Sequence, residues 1–432
     1  MAMRKDTIIA LASGQGKAGI AVIRISGDKA LQILREMNHN KHEFVPNMLT
    51  PASLYLDDFV EHGMAVYFKA PKSFTGEDVV EINCHGGKVV IDKVINRAIE
   101  LGAVMANRGE FSLRAFMNGK ISIDQAEGIC DLVSAESEKQ AQYSSALLTG
   151  KLKDKVVGYQ NKIKDILASI EAKIDYPEYE IDQSEIDGLK NSLQSINVEL
   201  KSLISTYDEG KKVLSGVQVA IVGSANAGKS SLLNALTGQE IAIVSDIAGT
   251  TRDVLFGQYK YNGVVFQLYD TAGIRDSKDV IEKIGIDRAL KKMDEADIIL
   301  NVVTPDEPNT LSARDNMLTV FNKADKYTYA DGLKISVKTG QGIDELKQKL
   351  YEMSFKDELV ADKLYITNAR HLEGLMRANK ALLNAENNLN VVTLDAIATD
   401  LKYAWQALGE ITGETASEEI INRIFEKFCL GK

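Results

Sequence analysis

Cysteine and proline are scarce in this chain, and no long apolar run occurs. The three cysteines, Cys84, Cys130 and Cys429, are too few and too scattered for a disulfide framework or a zinc site. A reducing cytoplasm is the simplest home for such a sequence. Six prolines leave little scope for a Pro-rich linker, and there is no internal repeat or low-complexity tract. No apolar stretch approaches the ~18 residues that span a bilayer, so no membrane association is expected. The short run Ile8–Ala12 behind Arg4 and Lys5 is too brief for a signal peptide and reads as a strand. A net charge of −10, from 51 basic and 61 acidic residues, argues against a dedicated nucleic-acid coat but allows a local basic surface. What remains is an ordinary globular composition, 45% hydrophobic and 26% charged. Its 432 residues are enough for about two to four domains.

The most informative segment present is Gly223-Ser224-Ala225-Asn226-Ala227-Gly228-Lys229-Ser230. It follows the apolar run Val217–Val222 and precedes a helix-like stretch, Ser231–Leu236. Strand, Gly-rich turn, Lys-Ser and helix is the layout of a phosphate-binding P-loop. Successive backbone N–H groups from Asn226, Ala227 and Gly228 through Ser231 would converge on the phosphates, where only glycine lets the backbone approach closely. Lys229 would reach the β/γ-phosphates, and the Ser230 hydroxyl would ligate Mg²⁺.

Three later segments, each behind a strand-like run, point to GTP. Asp270-Thr271-Ala272-Gly273 can hold Mg²⁺ through water and offer an N–H to the γ-phosphate. Asn322-Lys323-Ala324-Asp325 carries a carboxylate that can accept both N–H groups on one edge of guanine, where adenine presents the wrong donor pattern. Ser336-Val337-Lys338-Thr339-Gly340 would wall the base. Each tetrapeptide alone is weak; their order and spacing make the signal specific. Between them, Gly249-Thr250-Thr251-Arg252-Asp253 reads as a switch loop in which one threonine, Thr251 foremost, closes over Mg²⁺ and the γ-phosphate; a polar hairpin loop is the alternative. Ras-type enzymes place Gln directly after the Asp-x-x-Gly motif to orient water, but Ile274 stands there, so another group must do that work. Asn226 either ligates a monovalent cation beside the phosphates or simply favours the turn.

The periodicities predict an α+β domain over residues 1–118, with strands at Ile8–Leu11, Gly19–Ile25, Gly63–Phe68, Val79–Asn83 and Ala103–Met105 and helices at Ala30–Met37 and Lys88–Leu101. Helical spacing begins with Ala126, Ile129, Cys130 and Val133, stops near Pro177, resumes over Ser184–Leu214 and returns from Ala361 to Phe428. The expected organisation is an all-α helical domain in two pieces, 119–214 and 356–432, with an α/β P-loop GTPase domain, 215–355, inserted between them. The stretch from Val303 to Val320 is short for such a domain, so one helix or strand there would be trimmed.

These motifs together resemble the MnmE (TrmE) family of tRNA-modification GTPases. The resemblance covers essentially the whole chain. It rests on the P-loop Asn-Ala-Gly-Lys-Ser-Ser, Asp246-Ile247-Ala248-Gly249-Thr250-Thr251-Arg252-Asp253, Asp270-Thr271-Ala272-Gly273 and the final Cys429-Leu430-Gly431-Lys432. In the N-terminal region it rests on Arg24-Ile25-Ser26-Gly27, Ser73–Asp78, His85-Gly86-Gly87, Gly109-Glu110-Phe111 and Arg114–Lys120. The resemblance implies a homodimer whose N-terminal domain binds 5-formyltetrahydrofolate or a related folate, and potassium-stimulated GTP hydrolysis. It places K⁺ at Asn226, Ser245, Ile247 and Thr250, Mg²⁺ at Ser230 and Thr251, and the nucleotide along Ser245, Asp246, Ile247, Ala248, Gly249, Thr250 and Thr251. It implies catalytic roles for Lys229, Thr250 and Thr251 and a water-orienting carboxylate at Glu282, which otherwise reads as a solvated helix residue. Folate positions fall on Arg24, Glu81, Lys120 and Lys432; Cys429 beside them is either a nucleophile or a small buried residue. The family works with a flavoprotein, MnmG (GidA), which carries FAD and uses NADH, on carbon 5 of the wobble uridine of certain tRNAs. A GTP-switched binding protein such as a ribosome-assembly factor is the alternative that the GTPase motifs alone leave open. The chain departs from the family's usual residues at Ala225, at Arg108, at Val337 in the base-walling loop, and in the Ala12–Lys17 loop, which lacks the usual prolines.

Overall fold

The computed structural model describes residues 6–14, 16–175, 183–224, 226–238, 257–270, 293–306, 312–355, 359–360, 363–389, 391–428 and 431. Compact packing divides the chain into one unit of Met1–Cys130, Leu147–Leu193 and Lys380–Lys432 and a second of Asp131–Ala146 and Gln194–Asn379.

The first unit begins with β1 (Ile8–Leu11), β2 (Ala18–Ser26), α1 (Ala30–Met37), β3 (Thr50–Tyr55), β4 (Val60–Phe68), β5 (Val79–Gly86), α2 (Lys88–Glu100), β6 (Val104–Met105), α3 (Glu110–Met117) and α4 (Ile123–Ser134). The six strands form one sheet in the order β3-β4-β5-β2-β1-β6, antiparallel except for the parallel β1–β6 pair. Alternation along β2 sends Ala21, Ile23 and Ile25 into a core with Ile33, Leu34 and Met37 of α1 and Val94 and Ala98 of α2. The opposite face carries Arg24, in register with Glu81 of β5. Strand β3 and helix α3 are additions to the sequence expectation. Pro51 is the second residue of β3, an edge strand where a missing donor is tolerated. Helix α3 starts at Gly109, whose φ of 67° lets the chain turn where a Cβ would meet the Phe425 carbonyl at 2.3 Å.

Then come α5 (Glu138–Leu148), α6 (Lys151–Asp175), α7 (Gln183–Ile204) and α8 (Tyr207–Ser215). After the inserted region they are followed by α11 (Ala369–Asn388), α12 (Leu394–Thr412) and α13 (Glu418–Phe425). Leu152, Val156, Tyr159, Ile163, Ile166 and Ile170 make a buried stripe on α6, as three- and four-residue spacing requires. Helix α12 packs against α6, and Gln160 donates to the Trp405 carbonyl. The single helical run predicted over Ser184–Leu214 is instead two helices. Thr206 sits at the break, where its hydroxyl donates to the Leu203 carbonyl and accepts from the Ile366 N–H. Likewise the run predicted from Ala361 is three helices beginning at Ala369.

The inserted region holds β7 (Val217–Val222), α9 (Lys229–Thr237), β8 (Gly257–Tyr261), β9 (Val264–Asp270), β10 (Ile298–Val303), β11 (Met317–Phe321), β12 (Leu333–Lys334) and α10 (Ile343–Ser354). Their sheet runs β12-β11-β10-β7-β9-β8, all parallel apart from the β8–β9 hairpin. Nearly continuous burial along β7 and β10 fits strands covered on both faces. One face packs Val219, Ile221, Leu300, Val302 and Val320 against Leu232 and Leu236 of α9 and Leu346 and Leu350 of α10. This is an α+β N-terminal domain, a helical domain and a P-loop GTPase region inserted in the latter, as the patterns predict. Among the described residues no helix is long and apolar enough to cross a membrane.

Candidate functional site

The central parallel strand β7 delivers the P-loop. Gly223 leaves it with φ 144°, and a Cβ there would lie 2.3 Å from the Val302 carbonyl of β10. Asn226 and Gly228 also have positive φ, 61° and 92°, so the loop folds tightly before α9 begins at Lys229. The Lys229 ammonium lies back over this loop, donating to the carbonyls of Gly223 at 2.9 Å and Ser224 at 2.6 Å. Ser230 and Ser231 occupy the first turn of α9, the helix end whose dipole favours an anion. Asp270 ends β9, opposite Ile221 of β7, which brings its backbone to the same sheet edge as the P-loop.

The Asn322–Asp325 segment joins this loop. The Asn322 side-chain amide donates to the Ala227 carbonyl at 2.8 Å, and its backbone N–H donates to the Val303 carbonyl at 2.9 Å. A Cβ on Gly228 would sit 2.4 Å from Asn322 Nδ2, which is why glycine is needed there. Asn322 Oδ1 is buried without a hydrogen-bond partner, a costly acceptor that fits a ligand edge bearing N–H groups. Lys323 takes φ 61° and turns the chain so that Asp325 faces Ser336, whose hydroxyl donates to Asp325 Oδ1 at 2.8 Å. That bond holds the Asp325 carboxyl below its ordinary value. Val337 packs at the edge of the core and Lys338 follows it, helping to lower the Asp325 value. The structure therefore brings Asn226, Ala227, Gly228, Lys229, Ser230, Asn322, Lys323, Asp325 and Ser336 together. Ser245, Asp246, Ile247, Ala248, Gly249, Thr250, Thr251, Thr271, Ala272, Gly273 and Glu282 lie outside the described residues.

A second constellation lies on the N-terminal sheet. Arg24 pairs with Glu81 at 2.7 Å, while its guanidinium stands 5.2 Å from the Phe74 ring and 5.7 Å from the Phe111 ring. Lys120 donates to the Pro71 carbonyl at 3.0 Å, so the 71–78 loop lies between the two cations. Beneath that loop Arg114, 2% exposed, bonds to Glu77 at 3.1 Å and Glu110 at 2.9 Å, and Ser26 donates to Glu77 at 2.7 Å. No role is predicted from sequence for Arg114, Glu77 or Phe74: the loop before β5 carries Phe74 to the Arg24 guanidinium and Glu77 to Arg114 of α3. Gly431 packs on this unit, with a Cβ position 2.0 Å from the Leu11 carbonyl. Cys429 and Lys432 on either side of it lie outside the described residues.

Two family models match: the MnmE helical domain over residues 123–429 and the GTP-binding protein TrmE N-terminus over residues 7–120. The chain belongs to the MnmE (TrmE) family. It is 38% identical over 463 residues to the tRNA modification GTPase MnmE of Natranaerobius thermophilus, covering 100% of both chains. Identity to the tRNA modification GTPase MnmE of Alkaliphilus oremlandii is 36% over 459 residues, with 99% of each covered. Among solved structures, the G domain of the T. maritima FeoB iron transporter is 27% identical, covering 32% of this chain and 99% of its own, with a TM-score of 0.26.

Proposed function

We propose that the protein is a potassium-stimulated GTPase that acts with a flavoprotein of the MnmG (GidA) type on carbon 5 of the wobble uridine in certain tRNAs, drawing a one-carbon unit from a formyl-type tetrahydrofolate. The observation that supports this most is the joining of Asn322 to the P-loop carbonyl of Ala227 in a chain similar along its length to tRNA modification GTPases.

In this reading Asp325 reads guanine and Ser336, Val337 and Lys338 wall it. The N–H groups at the start of α9 hold the phosphates, with Lys229 swinging from the loop carbonyls onto them. Ser230 and Thr251 would hold Mg²⁺, Asp270 would hold it through water, and the ion would neutralise phosphate charge. Asn226, Ser245, Ile247 and Thr250 would hold K⁺. Glu282 orients the attacking water in place of the glutamine that Ile274 displaces. In the N-terminal domain Arg24 and Lys120 bind the carboxylates of the folate tail and Glu81 accepts from the pterin. Lys432 completes that site, with Cys429 beside it. The partition at 1–118, 119–214, 215–355 and 356–432, the homodimer, the cytoplasmic location and the tRNA and flavoprotein partners belong to the same proposal.

The test is mass spectrometry of wobble nucleosides from cells lacking the protein, alongside GTP turnover in K⁺ and in Na⁺. Loss of the C5-modified uridines and faster turnover in K⁺ are expected. Fully modified uridines, or equal rates in the two salts, would remove the tRNA and potassium roles respectively.

A further inference from the structure

The segment between β11 and β12, residues 322–332, carries the base-reading residues on a loop that needs external support. Its turn is tied by the Ala324 N–H, which donates to the Ile335 carbonyl at 3.0 Å. Among the described residues of the β10–β11 connection, 304–306 and 312–316, none is helical. Two phenols inside the loop take up the work. The Tyr329 hydroxyl donates to the Asn322 carbonyl, and its ring lies 5.0 Å from that of Phe321 at a tilt of 44°. Gly332, at φ 95°, leaves room for this stack, since a Cβ there would lie 2.4 Å from Phe321 Cε2. The Tyr327 hydroxyl donates to Asp306 Oδ2 at 2.5 Å, tying the loop to the start of that connection, just after β10.

We propose that Tyr329, assisted by Tyr327, is a positioning residue for guanine recognition. With the N–H on Val303 and the side-chain amide on Ala227, the bond from Tyr329 occupies the remaining backbone group of Asn322. Both peptide units flanking the Asn322 Cα, which lead into the Lys323–Asp325 turn, are thereby held. Both phenols titrate above their ordinary value, Tyr327 chiefly through its bond to Asp306 and Tyr329 chiefly through burial, so both remain donors at neutral pH. The inference rests on residues 322–325 being the guanine reader.

Competition against a fluorescent GDP analogue tests both layers, using GDP, XDP and inorganic tripolyphosphate as competitors. Tyr329→Phe keeps the ring and removes one donor. It should weaken GDP about 3- to 10-fold while changing tripolyphosphate less than about 2-fold, because the phosphates do not use this loop. Tyr327→Phe, more exposed, should weaken GDP about 2-fold. Asp325→Asn should reverse the preference between GDP and XDP, since an amide can donate to the 2-oxo group of xanthine. Unchanged GDP affinity in Tyr329→Phe, or an equal loss on tripolyphosphate, overturns the positioning role. An unreversed preference in Asp325→Asn overturns the guanine reading beneath it.

Discussion

The Asn322–Asp325 loop of the inserted GTPase region and the Arg24 corner of the N-terminal sheet differ in how they hold a charged side chain. In the GTPase region the groups arrive in short contiguous runs, each at the carboxyl end of a parallel strand, where a doubly wound sheet gathers its loops. In the N-terminal domain they come from separate elements. Arg24 meets Glu81 through antiparallel register, and Arg114 reaches Glu77 across 37 residues of chain. The parallel sheet gathers its groups at strand ends, whereas the N-terminal groups come from a strand pair, a loop and a helix.

Four measurements would break or sharpen this contrast. The largest effect is expected at Arg114. Replacing it with alanine leaves Glu77 and Glu110 facing each other beneath the loop, so stability should fall by about 3–5 kcal/mol in chemical denaturation. Hydrogen exchange should place the loss in the N-terminal sheet, and a loss spread equally into β7 and β10 would contradict the separation. Next, Gly223→Ala forces a Cβ against the Val302 carbonyl in a backbone conformation that L residues avoid. About 1–3 kcal/mol of stability and most GTP binding should go with it, read by melting and by nucleotide titration. Unaltered GTP affinity would mean that the loop is not held by this contact.

Arg24→Met keeps the apolar packing against Phe74 and Phe111 but removes the charge paired with Glu81. Formyl-folate affinity should fall about 10-fold with GTP turnover per bound nucleotide unchanged. The two assays falling together would join the regions instead of separating them. The smallest effect is at Ser336. Its hydroxyl depresses the Asp325 carboxyl, so the benefit of the ionised form is complete above the ordinary carboxylate range and is lost as pH falls through the lowered value. In Ser336→Ala the acid limb of GDP binding should therefore move to higher pH. Carboxyl-carbon NMR of Asp325 reads this directly, and an unmoved titration would deny the bond its role.

The fold was legible to different depths in the two regions. Strand β7 and helix α1 fall on the predicted residues because uniform burial and a clean helical stripe leave little ambiguity. Strand β3 escaped notice because Thr50–Tyr55 offers only Ala52 and Leu54 as buried apolar positions behind a proline. The long helical predictions overran their breaks because Thr206 interrupts the helix through a bond to Ile366, a partner 160 residues away. At the candidate site, Lys229, Asn322 and Asp325 stand out by spacing alone. Tyr329 and Phe321 do not, since an aromatic pair in a loop has no pattern until the loop closes.

By itself the sequence determined the chemistry that depends on order along the chain: a glycine-rich turn between strand and helix, a carboxylate behind Asn-Lys, and a family likeness from end to end. Such motifs work through the local backbone, so their spacing is their geometry. Only the tertiary structure decided which distant groups neutralise one another. Arg114 between Glu77 and Glu110, Arg24 on Glu81 and Asn322 on Ala227 are settled by strand register and loop closure, where contact follows from packing and not from proximity in sequence.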